Sequence, residues 1–188
     1  KDRCQYALDL AKEGVRVALI SSGDSGIYGM AGLALELWLN ERLDSRPLFE
    51  VHPGISSFQM AAAKLGAPFM HDFCSISLSD LLTPWNQIEK RIKSAAIGDF
   101  VLAIFNPKSI KRDWQLKKTV DLLLECRNPS TPVAIARQLG RPEESIEIHT
   151  LETLPFDRVD MLTILVIGNS QSVIKNNKFL TPRGYFSN

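Results

Sequence analysis

The sequence predicts an α/β fold, on three observations. Short apolar runs, at residues 15–20, 100–105 and 162–168, alternate with segments whose apolar residues recur at helical spacing. A glycine-rich turn, Ser21-Ser22-Gly23-Asp24-Ser25-Gly26-Ile27-Tyr28-Gly29-Met30, carries the first run into a helical segment. A second strand–turn–helix unit spans residues 48–65, with Pro53-Gly54-Ile55-Ser56-Ser57 as its turn.

The elements follow in order. Residues 2–12 read as helix, with Tyr6, Ala7 and Leu10 on one face and Gly14 as the stop. Residues 15–20 read as a buried strand, and Met30, Leu33, Ala34, Leu37 and Trp38 space a helix after the glycine turn. Ser45-Arg46-Pro47 breaks the pattern before a strand at 48–52. A helix at 58–65 takes Ser56 or Ser57 as N-cap and Gly66 as stop. Residues 66–72 read as a connector and 73–78 as a strand. Thr83-Pro84 opens a helix with Trp85, Ile88, Ile92 and Ala95 on one face, ended by Gly98. The strand at 100–105 runs into Asn106-Pro107, and a helix at 113–127 turns Leu116, Val120, Leu123 and Leu124 inward. Residues 133–136 read as a strand. Those at 147–150 and 162–168 have no long helix between them, so an antiparallel pairing is expected there. From Asn169 onward little pattern is visible before Thr181-Pro182-Arg183-Gly184-Tyr185.

Bulk properties narrow the function classes. A chain of 188 residues suits one large domain or two small ones. A net charge of +1 gives no support for nucleic-acid binding by bulk electrostatics, although a local basic patch can meet an acidic small molecule. Cys4, Cys74 and Cys126 form no C-x-x-C pair, so neither a metal site nor a disulfide framework is indicated and a reducing cytoplasm is expected. No apolar run reaches membrane-spanning length and no signal peptide is visible. The first residue is Lys1, which suggests a fragment.

The glycine turn spaces its glycines as G-x-x-G-x-x-G. That is neither the dinucleotide fingerprint nor a P-loop, and no phosphate-binding signature accompanies it. A loop at the carboxyl end of a strand, carrying one acid, suits a ligand with hydroxyls or a positive charge. On spacing alone a second reading stands beside it: Asp24 caps the helix and the glycines make the turn. Ser56 and Ser57 divide the same way, between capping and binding polar ligand atoms.

Taken together, several stretches resemble the tetrapyrrole methylase family. They are residues 21–31, His52-Pro53-Gly54-Ile55-Ser56-Ser57, His71-Asp72-Phe73-Cys74, residues 76–85, Phe105-Asn106-Pro107-Lys108-Ser109, Ile167-Gly168-Asn169-Ser170 and the Thr-Pro-Arg-Gly-Tyr tail. The resemblance covers residues 3–185. It implies S-adenosylmethionine as methyl donor and a corrinoid precursor, with or without cobalt, as acceptor in cobalamin biosynthesis. Within the family it points to methylation at ring carbon 17 with ring contraction. It also implies two α/β domains, 1–70 and 71–188, with the donor cleft between them, and a cytoplasmic homodimer. The family's opening strand and Gly-Pro-Gly loop are not in this chain, so the first domain is expected to be truncated. Position 25 is Ser where many relatives have Pro. Donor contacts carried over by the resemblance are Ser22, Gly23, Asp24, Ile27, Ser56, Ser57, Asn106, Leu139 and Thr163; no catalytic residue and no metal ligand is assigned. Arg112, Arg137, Arg141, Arg158, Lys108 and Lys111 are candidates to meet acceptor carboxylates, and Tyr28 and Trp85 to stack on the macrocycle. His52 and His71 read as structural or substrate-facing and His149 as surface. The alternatives are another tetrapyrrole methylase of the same fold, a truncated non-catalytic binding domain, or a nicotinamide oxidoreductase. The missing G-x-G-x-x-G speaks against the last.

Overall fold

The computed structural model describes residues 1–185. It divides into two compact units, Lys1–Ser56 and Ser57–Asn188.

The first unit holds two helices, α1 (Asp2–Lys12) and α2 (Ala31–Leu39). Helix α1 buries Cys4 and Leu8, one turn apart, and leaves Tyr6 exposed, so its inner face is not the one expected from sequence. Gly14 follows it at φ 85°, the left-handed stop. Lys12 pairs with Glu41 at 2.6 Å, and the Trp38 indole donates to the Pro47 carbonyl at 2.7 Å. Residues 15–20 and 48–52, both expected as strands, are irregular, and Ile20 and Leu48 are exposed at 83% and 88%. A strand exists only where a neighbour takes up its backbone groups, and among the described residues neither segment has a ladder partner.

The second unit is built on a five-stranded sheet, flanked by α3 (Ser57–Leu65), α4 (Trp85–Ile97) and α5 (Trp114–Leu124). A short strand β1 (Gly66–Ala67) follows α3. The main strands are β2 (Phe73–Ser77), β3 (Val101–Phe105), β4 (Pro132–Arg137), β5 (Ser145–Thr150) and β6 (Thr163–Ile167), in the order β2-β3-β6-β4-β5. Strands β2 and β3 run parallel; the other pairings are antiparallel. The expected late antiparallel pairing of β5 with β6 is absent: β4 lies between them and pairs with both. Helix α3, expected in the first domain, packs against β6 and β1.

Alternation along the strands sorts the core into two layers. Leu102, Ile104, Val133, Ile135, Leu165 and Ile167 meet Ile88 and Ile92 of α4 and Leu116, Val120 and Leu123 of α5. The opposite face carries Ala134, Ala136, Ile164 and Val166 beneath Ala61 and Leu65 of α3, with Phe58, Phe69 and Phe105 packed alongside. Gly98 is the C-cap of α4, as expected, and the left-handed residue lies one position beyond it, at Asp99 with φ 52°. The stretch expected to be patternless forms a hairpin, β7 (Val173–Lys175) and β8 (Lys178–Leu180), and β8 also pairs with β1. Its turn is Asn176-Asn177 at φ 49° and 57°, the two left-handed residues a tight hairpin needs and asparagine tolerates.

Candidate donor-binding residues

Each unit carries part of the predicted set. In the first, the chain from Ser22 to Met30 is a run of bends held by backbone bonds. The Ile27 amide donates to the Asp24 carbonyl at 3.3 Å, and the Ala31 amide to the Ser25 carbonyl at 2.9 Å. Two of its glycines resist a side chain for different reasons, lack of space at Gly29 and backbone conformation at Gly23. A Cβ on Gly29 would stand 2.5 Å from the Ser25 oxygen, and Gly23 sits at φ 73°. Tyr28 takes φ 51° between them, a strained setting for a bulky residue.

Asp24 does not cap α2, whose N-cap position is Met30. Its carboxylate instead stitches two loops together. One oxygen accepts the Gly26 amide at 2.8 Å and the other the Gly54 amide at 2.9 Å. Gly54 comes so close that a Cβ there would lie 2.2 Å from the Gly23 oxygen. Ser25 adds a bond from its hydroxyl to the His52 carbonyl at 3.3 Å, a contact the more usual proline could not make. Ser56 is buried, and Ser22 is exposed. The Gly54 amide, followed by that of Gly26, holds the Asp24 carboxyl below its ordinary value. A group with a lowered folded-state pKa contributes fully above its unfolded value and loses that contribution as pH falls through the folded one. We therefore expect the Gly54 and Gly26 amide resonances to shift together on acidification, with a midpoint below 3.8. A midpoint at or above that value would contradict the double bond.

In the second unit, four predicted residues converge on one end of the sheet. Asn106 leaves β3 and Leu139 follows β4, while antiparallel β6 begins there at Thr163. Arg137 lies directly opposite Thr163 in the β4–β6 register. Extending the Ile104–Leu165 register of β3 and β6 by two residues brings Asn106 level with Thr163. Ser57 opens α3, where the next residue, Phe58, meets the Phe105 ring at a centroid distance of 6.4 Å. Further along α3, the Met60 methyl would be 3.0 Å from a Cβ on Gly140, beside Leu139. Thr163 is buried, and its hydroxyl donates to Asp160 Oδ1 at 2.8 Å. Asp160 in turn receives Arg137 at 2.7 Å.

Four of the six basic candidates for acceptor carboxylates are committed elsewhere. Arg112 is buried and donates to the Leu78 and Asn106 carbonyls. Lys108 donates to the Phe156 carbonyl at 2.9 Å, Arg158 to Glu147 at 2.6 Å and Arg137 to Asp160. Lys111 and Arg141 remain exposed. Trp85 packs edge-on against Trp114 at 4.8 Å and against the core, while Tyr28 is exposed. His149, expected at the surface, is half-buried and bonded to Glu147 at 3.1 Å. A cavity of about 560 Å³ between β2 and α4, beside Cys74, Ile76, Lys90, Arg91 and Phe100, holds none of the predicted donor contacts. Among the described residues no cluster of His, Cys, Asp and Glu is arranged for a metal, and no helix is long and apolar enough to cross a membrane. Ser77 and Arg112 reach Asn106 from 29 and 6 residues away, and no spacing in the sequence marks either contact.

The family described as Tetrapyrrole (Corrin/Porphyrin) Methylases matches residues 1–155. The chain is 47% identical over 184 residues to a probable cobalt-factor III C(17)-methyltransferase of Salmonella typhimurium, covering 98% of this chain and 76% of that protein. It is 45% identical over 185 residues to the cobalt-factor III methyltransferase of Priestia megaterium, covering 97% of this chain but 34% of the relative. A precorrin-3B C(17)-methyltransferase of Sinorhizobium sp is 38% identical over 195 residues, with 98% and 75% covered. The crystal structure of the methyltransferase CobJ superposes with a TM-score of 0.91 at 36% identity, over 96% of this chain and 76% of that one. A uroporphyrin-III C-methyl transferase from Thermus thermophilus, complexed with S-adenyl homocysteine, shares the fold with a TM-score of 0.62 at 20% identity, over 89% and 72% of the two chains. With the family match running over most of its length and close relatives over nearly all of it, this chain belongs to the tetrapyrrole methylases.

Proposed function

We propose that the chain is part of an S-adenosylmethionine-dependent methyltransferase that methylates a corrinoid precursor, precorrin-3B or cobalt-factor III, at ring carbon 17 with ring contraction, in cobalamin biosynthesis. The observation that carries this reading is 47% identity, across 98% of the chain, to the protein of Salmonella typhimurium named probable cobalt-factor III C(17)-methyltransferase. The donor contacts proposed are Ser22, Gly23, Asp24, Ile27, Ser56, Ser57, Asn106, Leu139 and Thr163. A cytoplasmic homodimer is part of the same proposal.

The chemistry of the residues fits such a donor. Asp24 is ionised at neutral pH and suits an ammonium or ribose hydroxyl, since a carboxylate has lone pairs beyond its two backbone bonds. Gly23 offers backbone with no side chain in the way. Leu139 supplies apolar surface, and Asn106 an amide. The Thr163 hydroxyl and amide are both bonded to Asp160. When bound, S-adenosylmethionine supplies a methyl group already activated on a positively charged sulfur. The chain's task is then alignment and exclusion of water, for which proximity suffices.

Isothermal titration should show S-adenosylhomocysteine binding and no NAD binding. The reverse result would overturn the donor assignment. Incubation with cobalt-factor III and the methyl donor, read by mass, tests the acceptor.

A further inference from the structure

We infer that Ser77 and Arg112 are positioning residues that lock Asn106 so that its amide presents an acceptor, Oδ1, to a hydrogen-bond donor on the bound ligand. The inference rests on the proposal that Asn106 contacts the methyl donor.

Asn106 stands at φ 49°, in the left-handed region, immediately after β3. Asparagine enters that region more readily than most residues but does not hold it unaided. Two contacts hold it here. Its Nδ2 donates to Ser77 Oγ at 2.9 Å, and its backbone carbonyl accepts Arg112 Nη1 at 2.6 Å. The same Nη1 donates to the Leu78 carbonyl at 2.8 Å, so one guanidinium ties the chain leaving β2 to the chain leaving β3. Arg112 is 7% exposed, and its Nε lies 3.9 Å from Asp80. Asp80 is itself fixed by Gln115 at 2.9 Å. A buried arginine so occupied does not meet substrate; it sets backbone geometry, with a fork that a lysine ammonium does not reproduce. Ser77 Oγ also accepts the Ser79 amide at 3.2 Å, which fixes the hydroxyl that Asn106 leans on. With Nδ2 occupied, the Asn106 side chain has Oδ1 left, and among the described residues nothing bonds it. An amino group or hydroxyl is the ligand chemistry that matches an amide oxygen.

The test is S-adenosylhomocysteine titration of the full chain carrying S77A, S77T or R112K, each with a thermal melt, and of S77A and R112K again with N106G. Glycine accepts the same φ but has no amide to position. We expect S77A and R112K each to weaken binding about 3- to 30-fold, the worth of one hydrogen bond at the site. S77T should restore most of the S77A loss, and neither loss should recur in the N106G background. Unchanged affinity in S77A, or a loss of equal size in N106G, would overturn the inference. If R112K does not melt cooperatively, the Ser77 cycle decides alone. Failure of the unmutated chain to bind S-adenosylhomocysteine, while other ligands bind, would instead overturn the donor assignment beneath it.

Discussion

Gly54→Ala should weaken S-adenosylhomocysteine binding by about one to two decades while leaving the second unit folded, because overpacking by one methyl costs roughly 1–3 kcal/mol. The added Cβ would stand 2.2 Å from the Gly23 oxygen and 3.3 Å from the Asp24 Cα. Both are backbone atoms and cannot swing aside as a flexible side chain would. The two loops must part, and the bond from the Gly54 amide to Asp24 lengthens with them. Gly32→Ala is the matched control. Gly32 lies inside α2, and a Cβ there would meet nothing within 4 Å. Alanine there should stabilise the helix by up to about 1 kcal/mol. Titration and melting of the two variants separate a local collision from a general intolerance of glycine replacement. Equal affinities in both would show that the loops relax without cost.

Arg127→Met should lower the stability of the second unit by about 2–5 kcal/mol, since two carbonyls lose charged donors in a buried setting. Arg127 is 7% exposed and donates to the Gly168 and Phe100 carbonyls, both at 2.6 Å, with a longer bond to Ala95 at 3.3 Å. It thereby joins the end of β6, the start of β3 and the last turn of α4. Burial lowers the guanidinium's pKa from its ordinary value, and the nearby Asp99 partly offsets that. The Ala95 oxygen keeps its bond from the Phe100 amide, so the methionine variant strands two carbonyls rather than three. Melting temperature should fall by roughly 5–15 °C for a protein of this size. An unchanged melt would mean that water or the neighbouring backbone takes over both carbonyls.

The two variants differ in what sequence could have said about them. The glycine turn and the Pro53-Gly54 turn were legible from residue type and spacing as loops leading into helices, although the strands expected before them did not form. Their junction was not, because Asp24 and Gly54 are thirty residues apart and meet only in the folded unit. Arg112 and Arg127 look in sequence like surface cations among many. Both are buried and spent on carbonyls, a role set by the direction in which loops leave the strands. Burial of arginine is uncommon, so residue type alone does not point to these roles.

The solid apolar runs of β3, β4 and β6 and the helical spacing of α4 and α5 identified those elements because their local pattern and their burial agree. Strand order was beyond such patterns. An apolar run states that a strand is buried, not which neighbour it takes, so β4 between β5 and β6 came only from the folded register. The hairpin of β7 and β8 has little sequence signature because its strands are three residues long and largely exposed, leaving only the Asn-Asn turn as a signal.

By itself, then, the sequence determined the α/β class, the turns that lead into α2 and α3, and the family, since each depends on residue identities at fixed short spacing. Tertiary structure alone decided that residues 15–20 and 48–52 remain outside any sheet, that Asp24 joins two loops instead of capping a helix, and that Asn106 is held by Ser77 and Arg112. The physical reason is common to all three. Backbone and side-chain hydrogen bonds between distant segments depend on which groups the fold brings within about 3 Å, and that distance is not a property of any local stretch of chain.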